Sequence, residues 1–267
     1  MRTRKPSRAS FPRFSAKAWW GSANRRCAFA IRRRRSTCIS HRRRRTNPVH
    51  FLTIDSSTGI EAGVCHEELG MVRDLAVATS ASTREHAEKL TPLIQGALAK
   101  AGIERPDAIV VGTGPGAFTG LRAGLVTART LARAWGVPLY GVSTLEILGL
   151  AASDQGAQEV VPIIDARRKE VYAMRVRPMG ADDVAVIEAP EVLTPAELAE
   201  RLRHEPAILA AMSADLYPEL GERLVVAPRP SVMARIASSR LARIEAGEEL
   251  SLDTEPLYLR RPDIHQG

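Results

Sequence analysis

Two short apolar runs, FLTID at residues 51–55 and VVPIID at residues 160–165, each end in an aspartate. Runs of this length are typical of buried strands that lead into a turn. Between and after them, segments with helical spacing of apolar residues alternate with further short apolar runs. The pattern therefore predicts an α/β fold with mixed sheets, opened by a three-stranded antiparallel meander within residues 51–78.

The spacing of apolar residues also predicts where the helices lie. Leu90, Leu93 and Leu98 fall on one face of a helix over residues 84–101, and a glycine comes next as a stop. The capping sequence TPAE predicts a helix that begins near residue 195 and ends near residue 203. The other predicted helices end at 135 or span 143–152 and 231–246, and further strands are predicted at 107–113, 138–142, 170–177, 184–188 and 207–211.

Charge divides the chain sharply. Residues 1–48 hold 16 of the 38 Lys and Arg residues and no acid, which leaves 22 bases against 30 acids, a net charge of −8, in the rest. The basic extension has no hydrophobic period, so we predict that it is disordered. Three interpretations stay open: translation that starts downstream near Val49, an organellar transit peptide, or an RNA-binding arm. Beyond it, a polar stretch at residues 153–158 predicts two subdomains, residues 49–152 and residues 153–267.

Cysteine content and hydropathy bear on location. Beyond the extension there is a single cysteine, Cys65, which fits a reducing cytosol. No apolar run reaches the roughly 18 residues of a transmembrane helix. No His or Cys cluster has the spacing of a metal site. We therefore predict a cytoplasmic protein with no membrane partner and no metal.

The most informative segment is VGTGPGAFTGLR at residues 111–122, where a strand is predicted to pass into a helix. It matches neither the P-loop nor GxGxxG, so it is either a turn that seats the helix or a place where free amides face an anion. Glycines recur every four residues and alanines continue the stripe, at positions 116, 120, 124, 128 and 132. Because glycine inside a helix costs about 1 kcal/mol, the stripe indicates close approach of another backbone. That backbone belongs either to the helix at 84–101 or to another subunit.

Six segments taken together resemble one known family. IDSSTG, HAEKLTPLI, GTGPGAFTGLRAGLVTARTLA, GVSTLE, DARRKEVYA and PLYLRRP occur in the order found in the TsaB (YeaZ) family, from residue 51 to about residue 262. The pair GPG-x-FTGLR and GVSTLE is specific to that family, and the extension has no part in the resemblance. Three positions depart from the family pattern: Ser56 is commonly Thr, Ala117 is commonly Ser, and Lys169 is usually Gly.

The resemblance implies an actin/sugar-kinase-like, ribonuclease H-like fold of two duplicated subdomains. It also implies a non-catalytic subunit that forms threonylcarbamoyladenosine in tRNA with the catalytic paralogue TsaD, the ATPase TsaE and the adenylate made by TsaC. TsaD is the expected heterodimer partner, a homodimer is an alternative for the chain alone, and tRNA contact is expected to be indirect. The partner interface implied by the resemblance comprises His86, Leu90, Leu93, Gly116, Phe118, Gly120, Leu121, Gly124 and Ala128.

The sequence also argues against catalysis by this chain. The catalytic paralogue has a metal-binding HxxxH on the first helix, whereas this chain has His86 followed by Leu90. No catalytic residue and no cofactor are therefore predicted. Asp55, Ser57, Thr58 and Asp165 stand where the fold places phosphate or metal loops, and we interpret them first as turn-forming residues and second as a vestigial phosphate site. The alternative function is a kinase- or ATPase-like enzyme with a degenerate site.

Overall fold

The computed structural model describes residues 48–81 and 86–260. On the first helix it describes side chains only from residue 88 onward. The predictions for residues 1–47, including the disordered extension, lie outside the described residues, as does the side chain of His86. Near the start of the described part, Val49 opens the first strand, at the position where the sequence predicts the body of the chain to begin.

The first sheet has the strand order β3-β2-β1-β4-β5. Its first three strands form the predicted antiparallel meander, and the other two run parallel to the central strand β1. The bounds are β1 Val49–Asp55, β2 Ile60–Glu68, β3 Met71–Ser80, β4 Ala108–Gly112 and β5 Leu139–Val142. All of β4 and all but one residue of β1 are buried, which explains their continuous apolar sequence.

The second sheet has the order β10-β9-β6-β7-β8. Strands β6 to β8 are again antiparallel, and β9 and β10 again run parallel on the other side of the first strand. The bounds are β6 Val160–Arg167, β7 Glu170–Pro178, β8 Val184–Leu193, β9 Ile208–Ala211 and β10 Leu224–Val225. The two sheets therefore share one topology, and the prediction of the duplicated actin/sugar-kinase-like fold with mixed sheets is confirmed.

Five α-helices belong to the described part of the chain: α1 His86–Ala101, α2 Phe118–Trp135, α3 Thr144–Ser153, α4 Pro195–His204 and α5 Pro230–Glu245. The predicted capping box opens α4, since the Thr194 hydroxyl accepts from the amide of Glu197 and the Glu197 carboxylate accepts from the amide of Thr194. Helix α2 ends at Gly136, which adopts the left-handed conformation expected of a helix stop.

The helices cover the sheets in layers. Helices α1 and α2 pack on one face of the first sheet, where Leu90, Leu121 and Leu125 join a core with β1 and β4. Helix α4 packs on the second sheet. Helices α3 and α5 lie in the core that both sheets share, so α3 is buried on all sides and is apolar except for Thr144, Glu146 and Ser153. No helix within residues 48–81 and 86–260 has the length and apolar character needed to cross a membrane.

The predicted boundary near residue 152 separates the two sheets but not their helices. Helix α3 lies before that boundary and contacts β6 and β7, whereas α5 lies after it and contacts the strands of the first sheet. Each half of the chain thus supplies a helix to the layer between the sheets. The division into subdomains at 49–152 and 153–267 stays a proposal about how the halves behave on their own.

Candidate functional site

Asp55 ends strand β1 and lies at the centre of the predicted phosphate loop. It is 2% exposed. One carboxylate oxygen accepts from the backbone amide of Ser57 at 2.9 Å, and the other accepts from the hydroxyl of Thr144 at 2.7 Å. The Ser57 hydroxyl lies 2.7 Å from that of Thr144. Burial raises the pKa of Asp55, and the hydrogen bonds from Ser57 and Thr144 oppose the rise.

The glycines of the GPG segment allow this loop to close. A Cβ atom on Gly112 would lie 2.0 Å from Asp55 Oδ2, and one on Gly116 would lie 2.2 Å from the carbonyl oxygen of Ser57. That carbonyl accepts from the backbone amide of Ala117 at 3.0 Å. At the start of α3, the carbonyl of Gly114 accepts hydrogen bonds from the backbone amide of Thr144 and from the hydroxyl of Ser143. The loop therefore joins β1, β4 and two helix starts, and Asp55 acts in it as a structural acceptor.

The small-residue stripe of α2 faces the chain's own strand β1. A Cβ atom on Gly124 would lie 2.2 Å from the Ser56 hydroxyl oxygen, and that hydroxyl donates to the carbonyl of Gly120 at 2.8 Å. Ala128 and Ala132, which continue the stripe, are buried. This packing adds a partner that the sequence did not indicate, the loop after β1. Helix α1 also packs on α2, and the alternative partner, another subunit, stays a prediction. The physical reason for the small residues is that the end of β1 and its loop approach α2 too closely for larger side chains.

The same burial affects the residues predicted for a partner interface. Five of them are enclosed by this chain and offer a partner no surface: Leu90, Gly120, Leu121, Gly124 and Ala128. Gly116, Leu93 and Phe118 are half-buried, so they retain some surface. Residues of α2 that sequence reasoning did not select face outward instead, among them Val126, which is 60% exposed. A role for α1 and α2 in an interface stays a prediction, now placed on their exposed faces.

Asp165 lies two residues before the end of β6, whereas Asp55 is the last residue of β1, and Asp165 is the more exposed of the two. It is half-buried, and its carboxylate accepts from the backbone amide of Arg167 at 2.8 Å and pairs with the Arg167 guanidinium at 3.4 Å. The hydroxyl of Tyr217 donates to it at 3.5 Å. Arg167, Arg168 and Lys169 all adopt left-handed φ angles at the β6–β7 turn, a conformation that favours the glycine usual in the family at position 169. These contacts tie Asp165 to its own hairpin and not to Asp55.

Thr58 and a residue that sequence reasoning missed, Glu61, line a cleft of about 360 Å³ beside Asp55. The Thr58 hydroxyl donates to the sulfur of Met212 at 2.9 Å, which links the loop to the end of β9. Glu61 is 8% exposed. Burial, reinforced by the charges of Asp55 and Asp74 and opposed by Arg229, raises its pKa to about 8. The sequence signal was an acid near the start of a strand whose next residues are apolar.

The C-terminal segment closes one side of the GPG loop. The Leu257 amide donates to the carbonyl of Thr113 at 2.8 Å. Arg122 stacks 3.7 Å over the ring of Phe118 and donates through Nε to the hydroxyl of Tyr258 at 2.8 Å. Arg122 and the ring of Tyr258 thus fix the half-buried side chain of Phe118 in place. The motif PLYLRRP therefore has a structural role that its sequence did not indicate.

Comparison with known proteins shows the relationships of the chain. A family model described as "TsaD: tRNA N6-adenosine threonylcarbamoyltransferase" matches residues 77–229. An uncharacterised protein of Mycobacterium tuberculosis is 36% identical over 219 residues, 79% of this chain and 92% of that protein. The tRNA threonylcarbamoyladenosine biosynthesis protein TsaB of Escherichia coli is 31% identical over 194 residues, 66% of this chain and 81% of that protein. The solved structure of YeaZ from Pseudomonas aeruginosa has a TM-score of 0.62 at 27% identity and covers 79% of this chain and 100% of that chain.

Proposed function

Because this chain belongs to the TsaB (YeaZ) family, we propose that it is a non-catalytic subunit in the formation of threonylcarbamoyladenosine in tRNA. Its proposed partner is a TsaD-like paralogue, with a TsaE-like ATPase as a further component, tRNA contacted through the complex, and the cytoplasm as the location. The observation that carries the non-catalytic assignment is the closed Asp55 loop, in which both carboxylate oxygens already have partners within the chain.

Phosphoryl transfer needs a phosphate cradle, a bound metal and a positioned nucleophile in one place. In this chain the acid that would hold the metal, Asp55, is buried. Each of its oxygens already accepts a hydrogen bond, one from Ser57 and one from Thr144. Leu90 stands where the catalytic paralogue has the second histidine of HxxxH, and it is 1% exposed in the core beneath α1. Asp165 is engaged by its own hairpin. These observations support a scaffold subunit that has the fold of the kinases but does not carry out phosphoryl transfer.

The proposed partner surface is the outer face of α1 and α2, which pack against each other on the first sheet. Val126 is an apolar side chain 60% exposed on that face of α2. Arg122 and Arg129 lie on the same outward stripe, four residues before and three after it, and both are held by the C-terminal segment. An exposed valine framed by positioned arginines fits a partner helix with an apolar centre and acidic margins.

The test is size-exclusion chromatography with light scattering on the full chain mixed with the TsaD of the same organism. We expect a heteromer, weakened at least tenfold by Val126→Asp. Val225→Asp is the matched control, because Val225 is 53% exposed on the second sheet, away from α1 and α2, and it should leave the complex intact. Two folded proteins that do not associate would overturn the proposal, and ATP hydrolysis by the isolated chain would then favour the degenerate-enzyme alternative.

A further inference from the structure

The cleft beside Asp55 is built on one row of side chains across the first sheet. Asp55 of β1 pairs with Glu61 of β2, and Glu61 pairs with Thr79 of β3. Residues paired in antiparallel strands point to the same face, with Cβ atoms about 5 Å apart. Met212 and Pro228, from the second half of the chain, line the cleft together with this row. Its volume of about 360 Å³ lies in the range of small-molecule sites.

Glu61 is the unexplained group in this cleft. Its Oε1 atom is buried and accepts no hydrogen bond from the part of the chain that the structure describes. Two other buried side-chain atoms there also lack hydrogen bonds, on Glu170 and Arg175, but each belongs to an ion pair, with Arg260 and Glu188 respectively. An unpartnered buried carboxyl oxygen is costly, and burial with a cationic or donating partner removes that cost. The oxygen is therefore an acceptor that a ligand would satisfy.

The residues that line the cleft limit the classes of ligand that it can bind. Each oxygen of Asp55 already accepts a hydrogen bond, from Ser57 or from Thr144, whereas Glu61 Oε1 accepts none from the described residues, so Glu61 is the carboxyl group that lacks a partner. Within residues 48–81 and 86–260, no third His, Cys, Asp or Glu joins these two acids to complete a metal site, and a divalent ion needs several oxygen ligands. When they are ionised, two acids in a low-dielectric wall also repel phosphate. Much of the remaining lining is apolar, from Ile60, Ala81, Met212 and Pro228.

We propose that this cleft binds a small organic cation, an ammonium group on an aliphatic body, with Glu61 as its anchor. The ammonium donates to Glu61 Oε1, and the aliphatic part packs against Met212 and Pro228. The site is separate from the outer face of α1 and α2, so its test does not depend on whether the proposed partner binds.

The charges around Glu61 give the site a defined pH dependence. Asp55 on β1 and Asp74 on β3 oppose its ionisation, and Arg229, just before α5, favours it. Because burial and the two acids raise its pKa to about 8, Glu61 is mostly protonated at neutral pH in the free protein. The cation binds the ionised form, so binding releases a proton. Affinity should rise roughly twentyfold between pH 6.5 and pH 8.5 and level off above that.

The experiment is an NMR titration of the ¹⁵N-labelled full chain with n-butylammonium chloride, which stays cationic throughout this range. The amide signals of residues 58–61, 79–81 and 212 report on the cleft. n-Butanol is the neutral control of the same shape. Glu61→Gln removes the charge at constant size, and Glu68→Gln is its matched control, since Glu68 is an exposed acid on the same strand. Ala81→Trp fills the cleft from an exposed position and leaves the carboxyl unchanged.

We expect saturable shifts at the cleft with butylammonium, affinity at pH 8.5 reduced at least tenfold in both Glu61→Gln and Ala81→Trp, and unchanged affinity in Glu68→Gln. Equal binding of butanol, shifts spread over the surface, or affinity that does not change with pH would overturn the proposal. If Glu61→Gln does not fold, Ala81→Trp and the pH series decide the question alone.

Discussion

The two sheets share one strand order but differ in the connection between their two parallel outer strands. Between β4 and β5 lies the 18-residue helix α2, whereas β9 and β10 are joined through a 3-10 helix of three residues, Pro218–Leu220. In the first half the junction between β4 and α2 is therefore held closely against the end of β1, whereas the second half has no α-helix at the corresponding connection between β9 and β10. Duplication has kept the sheet, while the loop and helix that could serve chemistry or binding have diverged.

The aspartates near the carboxyl ends of the two central strands, β1 and β6, also differ. Asp55 is enclosed, with both oxygens hydrogen-bonded by the first half and α3, while Asp165 is half-buried in a turn of its own. The residue paired with Asp55 is Glu61, and the residue paired with Asp165 is Val171. The first half thus buries two acids side by side where the second half buries one valine beside one partly exposed acid. At these two pairs of positions, stability should therefore depend on ionisation more in the first half than in the second.

The largest effect is expected from a single methyl group in the closed junction. In Gly116→Ala the new Cβ would lie 2.2 Å from a backbone oxygen and 2.6 Å from the Cα of Ser57, and neither atom can move without displacing the loop. We expect a loss of about 4 kcal/mol in the free energy of unfolding, measured by urea denaturation. Gly96→Ala is the control, because nothing lies within 4 Å of its Cβ position on α1, and it should gain about 0.5–1 kcal/mol. Equal effects of the two changes would contradict the close approach.

Asp55 and Asp165, near the carboxyl ends of the two central strands, provide the next comparison. Asp55→Ala leaves the hydroxyl of Thr144 and the amide of Ser57 without their acceptor inside the protein, so we expect a loss of about 3 kcal/mol. Asp165→Ala removes contacts that water can replace, and the loss should stay below about 1 kcal/mol. The measurement is again urea denaturation, at pH 7. A larger loss from the second change would show that the open loop is the more important one.

A smaller, pH-dependent effect is expected at Glu61. Its pKa is about 8 in the folded chain against 4.5 when unconstrained, so the folded state holds the proton over the range between these values. Stability from this group is therefore complete below pH 4.5 and is lost as pH rises to 8. Thermal unfolding of the wild type and Glu61→Gln should show the variant more stable by a few kcal/mol at pH 8.5, with the gap closing at pH 5. A gap that widens at low pH would show that the carboxylate is held as an anion.

Most of the fold could be predicted from the sequence because its elements are short-range patterns. Apolar runs indicated nine of the strands, and capping residues indicated the start of α4 to within one residue. Strand β8 extends to Leu193 beyond the predicted residue 188, because it is an edge strand whose later residues are mostly half-buried and form no continuous apolar run. The two-residue strand β10 and the 3-10 helix were missed, since neither is long enough to show a period.

The site was less predictable because its features depend on contacts between distant residues. The glycine stripe predicted close approach, but its partner, Ser56, lies 64 residues before Gly120 in the chain. Glu61 reads as an ordinary polar strand residue until Met212 and Pro228 close over it. Leu90 lies where the catalytic paralogue has the second metal-binding histidine of HxxxH. The packing of α1 on the first sheet shows that Leu90 is a core residue.

The most direct test of the proposed function is tRNA threonylcarbamoylation in a mixture reconstituted from the TsaC, TsaD and TsaE of the same organism, with and without this chain. Wild type is compared with Thr58→Val combined with Asp165→Asn, which alters the accessible polar groups of both loops and leaves Asp55 in place. We predict that modification requires the chain, that the chain alone neither modifies tRNA nor hydrolyses ATP, and that the double variant works as well as wild type. Modification or ATP hydrolysis by the chain alone, abolished by the double variant, would contradict the non-catalytic role.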